Sequence, residues 1–295
     1  MKYRFIAGQR HRFSVPEMCR VLGVCRSAFY VGWQRPASAH AMRDEALKVR
    51  ITTLFESSRC LYGSPRLHRE LQAEGINCSE KRVARLMREL QLVARPVKRY
   101  VATTDSGHRL PVAPNRLNRE YQVQVVPGLN RVWAGDITYI PTAQGWLYLA
   151  VVLDLKSRRV IGWSMARTLE QGLVQEALKL ALGQRRERGP ARREDSVLLF
   201  HSDRGSQYAG GAFQEQLQEA SLTGSMSRKG NCWDNAPVES FFATLKKELI
   251  HQEQYQTREQ ARVSLYEYIE VFYNRVRRHS ALGYLSPADY ELSLI

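Results

Sequence analysis

The chain lacks any run of about 18 apolar residues, so no membrane-spanning helix is expected. Its opening, Met1-Lys-Tyr-Arg-Phe-Ile-Ala-Gly-Gln-Arg10, holds no apolar stretch of signal-peptide length. Cysteines are few: five, at 19, 25, 60, 78 and 232, odd in number and nowhere spaced Cys-x2-Cys. They read as thiols of a reducing cytoplasm, not as a disulfide framework or a zinc site. A long leucine-heptad stretch is also missing, which leaves no coiled coil to expect. Acid is scarce in front. Residues 1–120 hold 10 Asp+Glu against 23 Lys+Arg, whereas residues 121–295 hold 19 against 21. That asymmetry points to a polyanion-binding module ahead of a nearly neutral second part, and nucleic acid is the polyanion it favours.

What is present reads as two or three domains, the prior for 295 residues. Ser14-Val-Pro-Glu17 has the form of a capping box, and Val15, Met18, Cys19 and Leu22 follow at helical spacing. A small residue at Cys19, a turn at Gly23 and an apolar Phe29 match a helix-turn-helix over 1–38, although a plain helical hairpin would share them. Gln34 to His40 is a linker. A second helical region over 39–95 begins with Leu47, Ile51, Leu54 and Phe55 on one face. Helices opened by Ser64-Pro65 and capped by Ser79 follow, the last turning Val83, Leu86, Met87 and Leu90 inward. Lys81, Arg82, Arg85 and Arg88 fall on its remaining surface, suited to phosphate contacts or to simple solvation. From 96 to 127 periodicity fades while Pro, Gly, Asn and Arg accumulate, which predicts an extended basic linker.

The composition changes at Arg131. Trp133–Ile140, the nearly continuous apolar run Trp146–Asp154 and Arg159–Met165 predict a three-stranded meander. A helix over 169–188, stopped by Gly189-Pro190, a strand over 197–202, a helix carrying Phe213 and Leu217, and a short strand at 223–225 complete a mixed α/β layer fold. Three acids are placed by these elements: Asp136 within a strand, Asp203 at the end of another, and Glu239 at the start of a helix. Sixty-six residues separate the first pair and 35 the second. Each alone reads as an ordinary strand-end or helix acid. Together they offer the hard oxygen ligands that two divalent cations need for phosphodiester chemistry. On the last helix Val238, Phe241, Phe242, Leu245 and Leu249 form an apolar stripe, with Glu239 and Lys246 roughly 90° from it on one flank. Lys246 is therefore expected to extend the site toward a DNA backbone. Asp234 or Asn235 is expected to cap the helix. His201 and His279 read equally as structural or DNA-facing, and Arg275, Arg277 and Arg278 as a basic DNA-facing cluster.

The runs Trp133-Ala-Gly-Asp136-Ile-Thr-Tyr, His201-Ser-Asp203-Arg-Gly-Ser-Gln-Tyr208, Ser227 to Phe242 and Tyr273 to Pro287 resemble the IS-three family of bacterial insertion-sequence transposases, in its second-frame product. Tyr62-Gly-Ser-Pro-Arg-Leu-His68 resembles the family's upstream helical region, so the likeness covers nearly the whole chain. The resemblance implies an RNase H-like core over 128–290, with the core proper ending near 250 and a helical extension after it. It implies an Asp136–Asp203–Glu239 catalytic and metal-binding triad using two Mg2+ ions, with Mn2+ as a substitute. It also implies double-stranded DNA as partner, a homo-oligomer, and an upstream-frame protein or fusion. A DNA-binding regulatory half of such a fusion, or a nuclease without joining activity, stays open as an alternative.

Overall fold

Helices occupy the front of the chain and a sheet begins at Val132, where the composition changes. The computed structural model describes residues 1–34, 38–94, 110–188, 197–229 and 231–294. The chain divides into two units, Met1–Val93 and Ala94–Ile295. No helix among the described residues is long and apolar enough to cross a membrane.

In the first unit, α1 (Lys2–Gln9), α2 (Val15–Val21) and α3 (Arg26–Gln34) close around Ile6, Met18, Cys19 and Phe29. Gly23 makes the turn between α2 and α3 at φ +60°, a conformation that costs most side chains energy. The capping box expected at Ser14 does not form. The Ser14 hydroxyl donates instead to the Glu17 carboxylate at 3.3 Å and caps no backbone amide. Helix α4 (Ala39–Ser57) already begins within the stretch from Gln34 to His40 expected as a linker, whereas α5 (Ser64–Ala73) and α6 (Glu80–Glu89) start where the sequence predicts. The Ser38 and Ser79 hydroxyls accept the amides of Ala41 and Arg82, each satisfying an orphan donor of a first turn. Leu47, Ile51, Leu67, Leu71, Val83 and Leu86 are buried between them.

The second unit is built on a five-stranded sheet: β1 (Val132–Ile140), β2 (Leu147–Asp154), β3 (Val160–Ala166), β4 (Leu198–Ser202) and β5 (Leu222–Met226), in the order β3-β2-β1-β4-β5. The meander β1–β2–β3 is antiparallel, while β4 and β5 join β1 in parallel. α7 (Gln171–Arg188) crosses from β3 to β4, and α8 (Ser206–Ala209) and α9 (Gly211–Glu219) lead from β4 to β5. They bury Leu173, Ala177, Phe213 and Leu217 against Trp133, Val152 and Phe200. β2 is buried on both faces, as its unbroken apolar run predicts. The Gly189-Pro190 stop lies outside the described residues, as does the 95–109 part of the expected linker. The rest of that linker is a strap on the sheet unit, because its backbone finds side-chain partners there. The Lys156 ammonium donates to the carbonyls of Val123 and Val126, and the Ser225 hydroxyl accepts the amides of Arg116 and Leu117. Leu117, Val123 and Val126 are buried with it.

α10 (Ala236–Glu248) follows a short 3-10 turn at Cys232–Asn235 and packs on β1 through its predicted apolar stripe. α11 (Arg258–Tyr266) continues as a π-helical turn, Glu267–Tyr273, and α12 (Pro287–Leu292) closes the described fold. Asn274 then completes the edge of β3: its side chain donates to the Val160 carbonyl at 2.9 Å and accepts the Val160 amide at 3.0 Å. Arg277, expected among DNA-facing arginines, is buried. Its guanidinium clasps Glu248 bidentately at 2.7 and 2.8 Å, an arrangement that answers two charges inside the protein.

Candidate active site

The parallel pairing of β1 with β4 sets Gly135 beside Ser202, so Asp136 and Asp203 emerge next to each other from adjacent strands. One oxygen of each is held by a nearby backbone amide: Ile137 donates to Asp136 Oδ1 at 2.8 Å, and Gly205 to Asp203 Oδ1 at 2.9 Å. Glu239 lies in the first turn of α10, the helix packed on β1. The three acids feel one another. Burial, then Asp203 and Glu239, push the Asp136 carboxyl well above its usual range, against the opposing pull of the Ile137 amide and Lys246. Burial and then Asp203 raise Glu239 as well. The three positions read from the sequence thus share one electrostatic site. Among the described residues no three His, Cys, Asp or Glu side chains stand ready-made around a metal position. They converge as a mutually repelling set of hard oxygen donors, which is the chemistry a divalent cation answers.

The site's walls explain its motif residues. A Cβ on Gly135 would stand 2.7 Å from the Phe200 ring and 3.4 Å from that of Tyr208, so only glycine lets both rings back the strand beside Asp136. Tyr208, buried at 2% exposure, has its phenol raised well above the usual range by burial and then by Asp136 and Asp203. The sequence reading left Tyr208 unassigned, although it stands five residues after Asp203. Lys246, expected to extend the site toward a DNA backbone, is 7% exposed and lies 4.9 Å from the Tyr139 ring, so it is not a freely solvated lysine. Burial lowers its pKa while Asp136 opposes the fall, which places its charge within reach of that carboxylate.

Asp234 is not a helix cap. Fully buried, it accepts Arg228 through Nε, Nη2 and the backbone amide, Arg119 through Nε at 2.9 Å, and Asn115 through Nδ2. Asn235 makes no cap bond either; it donates to the Gly135 carbonyl at 3.2 Å, pinning the start of α10 to β1. His201 is structural. It is buried between the hydroxyls of Ser225 and Ser227, and burial lowers its pKa to about 4. His279 packs edge-on against Tyr273. Asp154, left out of the triad on sequence grounds, gathers the amides of Asn130, Lys156 and Ser157 and orders a turn.

The expected DNA contacts divide. Lys81, Arg88 and Arg275 face solvent. Arg82 and Arg85 are drawn onto Asp44, at 2.6 and 2.7 Å, from helix α4. Arg278 is half-buried and donates to the Tyr284 carbonyl.

Family models agree with this architecture. Models of the integrase core domain match residues 127–232 and 220–287, and a model of an HTH-like domain matches residues 42–100. The last falls on α4–α6, in the second helical region, and not on the α2–α3 pair where the sequence reading placed a helix-turn-helix. The chain is 44% identical over 294 residues to the transposase InsF for insertion sequence IS3A of Escherichia coli (strain K12), covering 99% of this chain and 98% of that one. It is 43% identical to the uncharacterized 31 kDa protein of insertion element IS600 of Shigella sonnei, over 92% and 97% of the two chains. Among solved structures, the catalytic domain of Mos1 mariner transposase superposes with a TM-score of 0.41 at 16% identity, over 54% of this chain and 85% of that one. At 44% identity along almost its full length, the chain belongs to the family of IS3-type insertion-sequence transposases.

Proposed function

We propose that Asp136, Asp203 and Glu239 hold two divalent cations, Mg2+ or in its place Mn2+, and that this site cuts DNA at the ends of an insertion sequence and joins them to a target. The observation carrying this reading is the mutual repulsion of three acids from β1, the end of β4 and α10, in a chain of the transposase family. When bound, such ions neutralise charge developing on the attacked phosphate and favour the deprotonated attacking hydroxyl. The chain's own part is positioning. The Ile137 and Gly205 amides fix one oxygen of each aspartate, leaving little rotation to lose on binding. The buried ring of Tyr208 backs β1 beside Asp136, and the Lys246 ammonium, disfavoured by burial but favoured by Asp136, offsets part of the repulsion among the acids. Asn235 and the Asp234 cluster hold the turn that aims Glu239. Cleavage frees a 3′-hydroxyl that attacks a second phosphodiester in the same site, so no covalent protein–DNA bond is needed. Lys81, Arg88 and Arg275, which face solvent, are the phosphate contacts this reading retains. Joining two ends at once calls for at least two copies of the chain.

Strand-transfer assays of Asp136→Asn, Asp203→Asn and Glu239→Gln with Mg2+ or Mn2+ test the triad. Each is expected to lose activity by on the order of 10^3 or more, as groups acting as one unit do. Substantial joining by any of them would remove that residue from the site.

A further inference from the structure

A cavity of about 550 Å3 opens at the far end of the β1–β2 hairpin, lined by Gln144, Arg167, Arg258, Glu259 and Arg262. Three elements bring these residues together: the hairpin turn, the end of β3 and the first turns of α11. The junction is tied by two hydrogen bonds, the side-chain Oε1 of Gln144 accepting the Arg258 amide at 3.1 Å and the Tyr255 carbonyl accepting the Ala143 amide at 2.9 Å. Three guanidinium groups therefore face one opening against a single carboxylate. Glu259 neutralises little of this charge: it is 79% exposed and lies 3.9 Å from Arg262. Arg258 donates its Nε to the Trp146 carbonyl, which costs it no charge. Arg167 has no hydrogen-bond or ion-pair partner among the described residues and is exposed.

The cavity is joined to the triad by a line of contacts. Lys246, next to Asp136, sits over the Tyr139 ring at 4.9 Å. Tyr139 meets the ring of Trp146 edge-on at 4.9 Å, and Trp146 is 49% exposed. The Trp146 carbonyl holds Arg258 at the cavity's lip. Two aromatic rings thus lie between the Lys246 cation at the site and the Arg258 cation at the cavity, a mixture of charge and rings that nucleic-acid-binding surfaces also use. At about 3.3 Å per residue, Ile140 stands roughly 13 Å along β1 from Asp136, about four base-pair steps of a duplex at 3.4 Å each.

We infer that the Arg167–Arg258–Arg262 cavity seats a backbone phosphate of the duplex whose scissile phosphate lies at the triad, gripping it several base pairs away. Planar guanidinium forks suit phosphate oxygens, and with one side-chain amide among them they read the backbone and not the bases. The grip is therefore sequence-neutral. This rests on the reading of the triad as the strand-transfer site, and the two fail differently. Binding of a 30-base-pair duplex by the full chain, in EDTA to stop chemistry, is measured across a salt series for wild type, Arg167→Ala/Arg262→Ala and Arg167→Glu. Loss of this phosphate contact is expected to lower the slope of log affinity against log salt by roughly 1, an affinity deficit changing about three- to fourfold between 50 and 200 mM salt. The Arg167→Lys/Arg262→Lys protein is expected to recover most of the slope, and two unrelated duplex sequences to lose equally. Wild-type slopes in both Arg167→Ala/Arg262→Ala and Arg167→Glu, or a loss confined to one sequence, would overturn the inference. A slope loss alongside active triad variants would overturn the triad instead.

Discussion

Two carboxylates, one in each unit, show opposite electrostatic designs. Asp44 in the helical unit meets Arg85 and Arg82, whose hydrogen bonds hold its carboxyl down at about 2. Asp136 in the sheet unit meets burial and two other acids, and its carboxyl is pushed well up. The first charge is answered inside the chain; the second meets mainly burial and like charge, which is what the proposed cation site would draw on. Asp234 shows that the division is not between units. Five residues before Glu239, it is matched by Arg228 and Arg119 and held far below the usual carboxylate range. Answered acids fasten the fold, and unanswered ones mark the site. A positive composition follows the same logic in reverse, because Arg82 and Arg85 belong to the basic front half yet have part of their charge answered by Asp44.

The sharpest way to break this comparison is to remove an answered acid. Asp234→Ala leaves Arg119 and Arg228 without their shared partner and frees the strap over 115–119 from the turn before α10. Both arginines are close to half exposed, at 42% and 49%, so they can turn to water, which moderates the cost. A loss of roughly 3 kcal/mol is expected, lowering the midpoint of calorimetric unfolding by about 6–12 °C. A loss under about 1 kcal/mol would mean the cluster fastens nothing. Removing an unanswered acid should act in the other direction. In EDTA, Asp136→Asn is expected to stabilise by about 1 kcal/mol, as relief of active-site repulsion does. Added Mg2+ should then raise the midpoint of wild type more than that of the variant, because binding to the native state is what stabilises. Equal Mg2+ responses would detach Asp136 from the cation site.

How much of this was legible in the sequence follows from the range of the forces involved. β2 and α10 were read directly, since a continuous apolar run and a helical stripe are local patterns that packing then uses unchanged. The convergence of Asp136, Asp203 and Glu239 was legible because each acid stands at a fixed offset from such an element. α1 was missed because only Ile6 of its eight residues is buried, leaving no periodicity to see. Arg82 and Arg85 were read as DNA contacts because their partner lies 38 and 41 residues back, on another helix. Lys246 was placed correctly on its flank, but the angle says nothing of Tyr139, which β1 sets against that flank. Residues 110–127 read as linker because their order comes from side chains far along the chain, Lys156 and Ser225 among them. Composition near a motif could have found Tyr208; only the fold gives it a role.

The mildest test uses pH, where the two kinds of acid should tilt stability in opposite directions. Asp44 has a folded-state pKa of about 2 against an ordinary 3.8, so its ion pairs stabilise above about pH 4 and that contribution disappears as pH falls toward 2. Its arginine partners are partly solvated, so the effect is small. Asp154 is the reverse. Burial, only partly offset by the amides of Ser157, Asn130 and Lys156, raises its carboxyl to about 6. The folded state then holds a proton that the unfolded chain releases near 3.8, and stability falls as pH rises from about 4 to 6. Urea unfolding of wild type, Asp44→Asn and Asp154→Asn across that range isolates each slope as a difference, since every other titrating group cancels. The wild type should gain on Asp44→Asn as pH rises from 2 to 4, and lose ground to Asp154→Asn from 4 to 6. Parallel slopes would show that the ion-paired Asp44 and the desolvated Asp154 are not handled differently, and that the contrast between a carboxylate answered by charge and one raised by burial does not reach the stability of the folded chain.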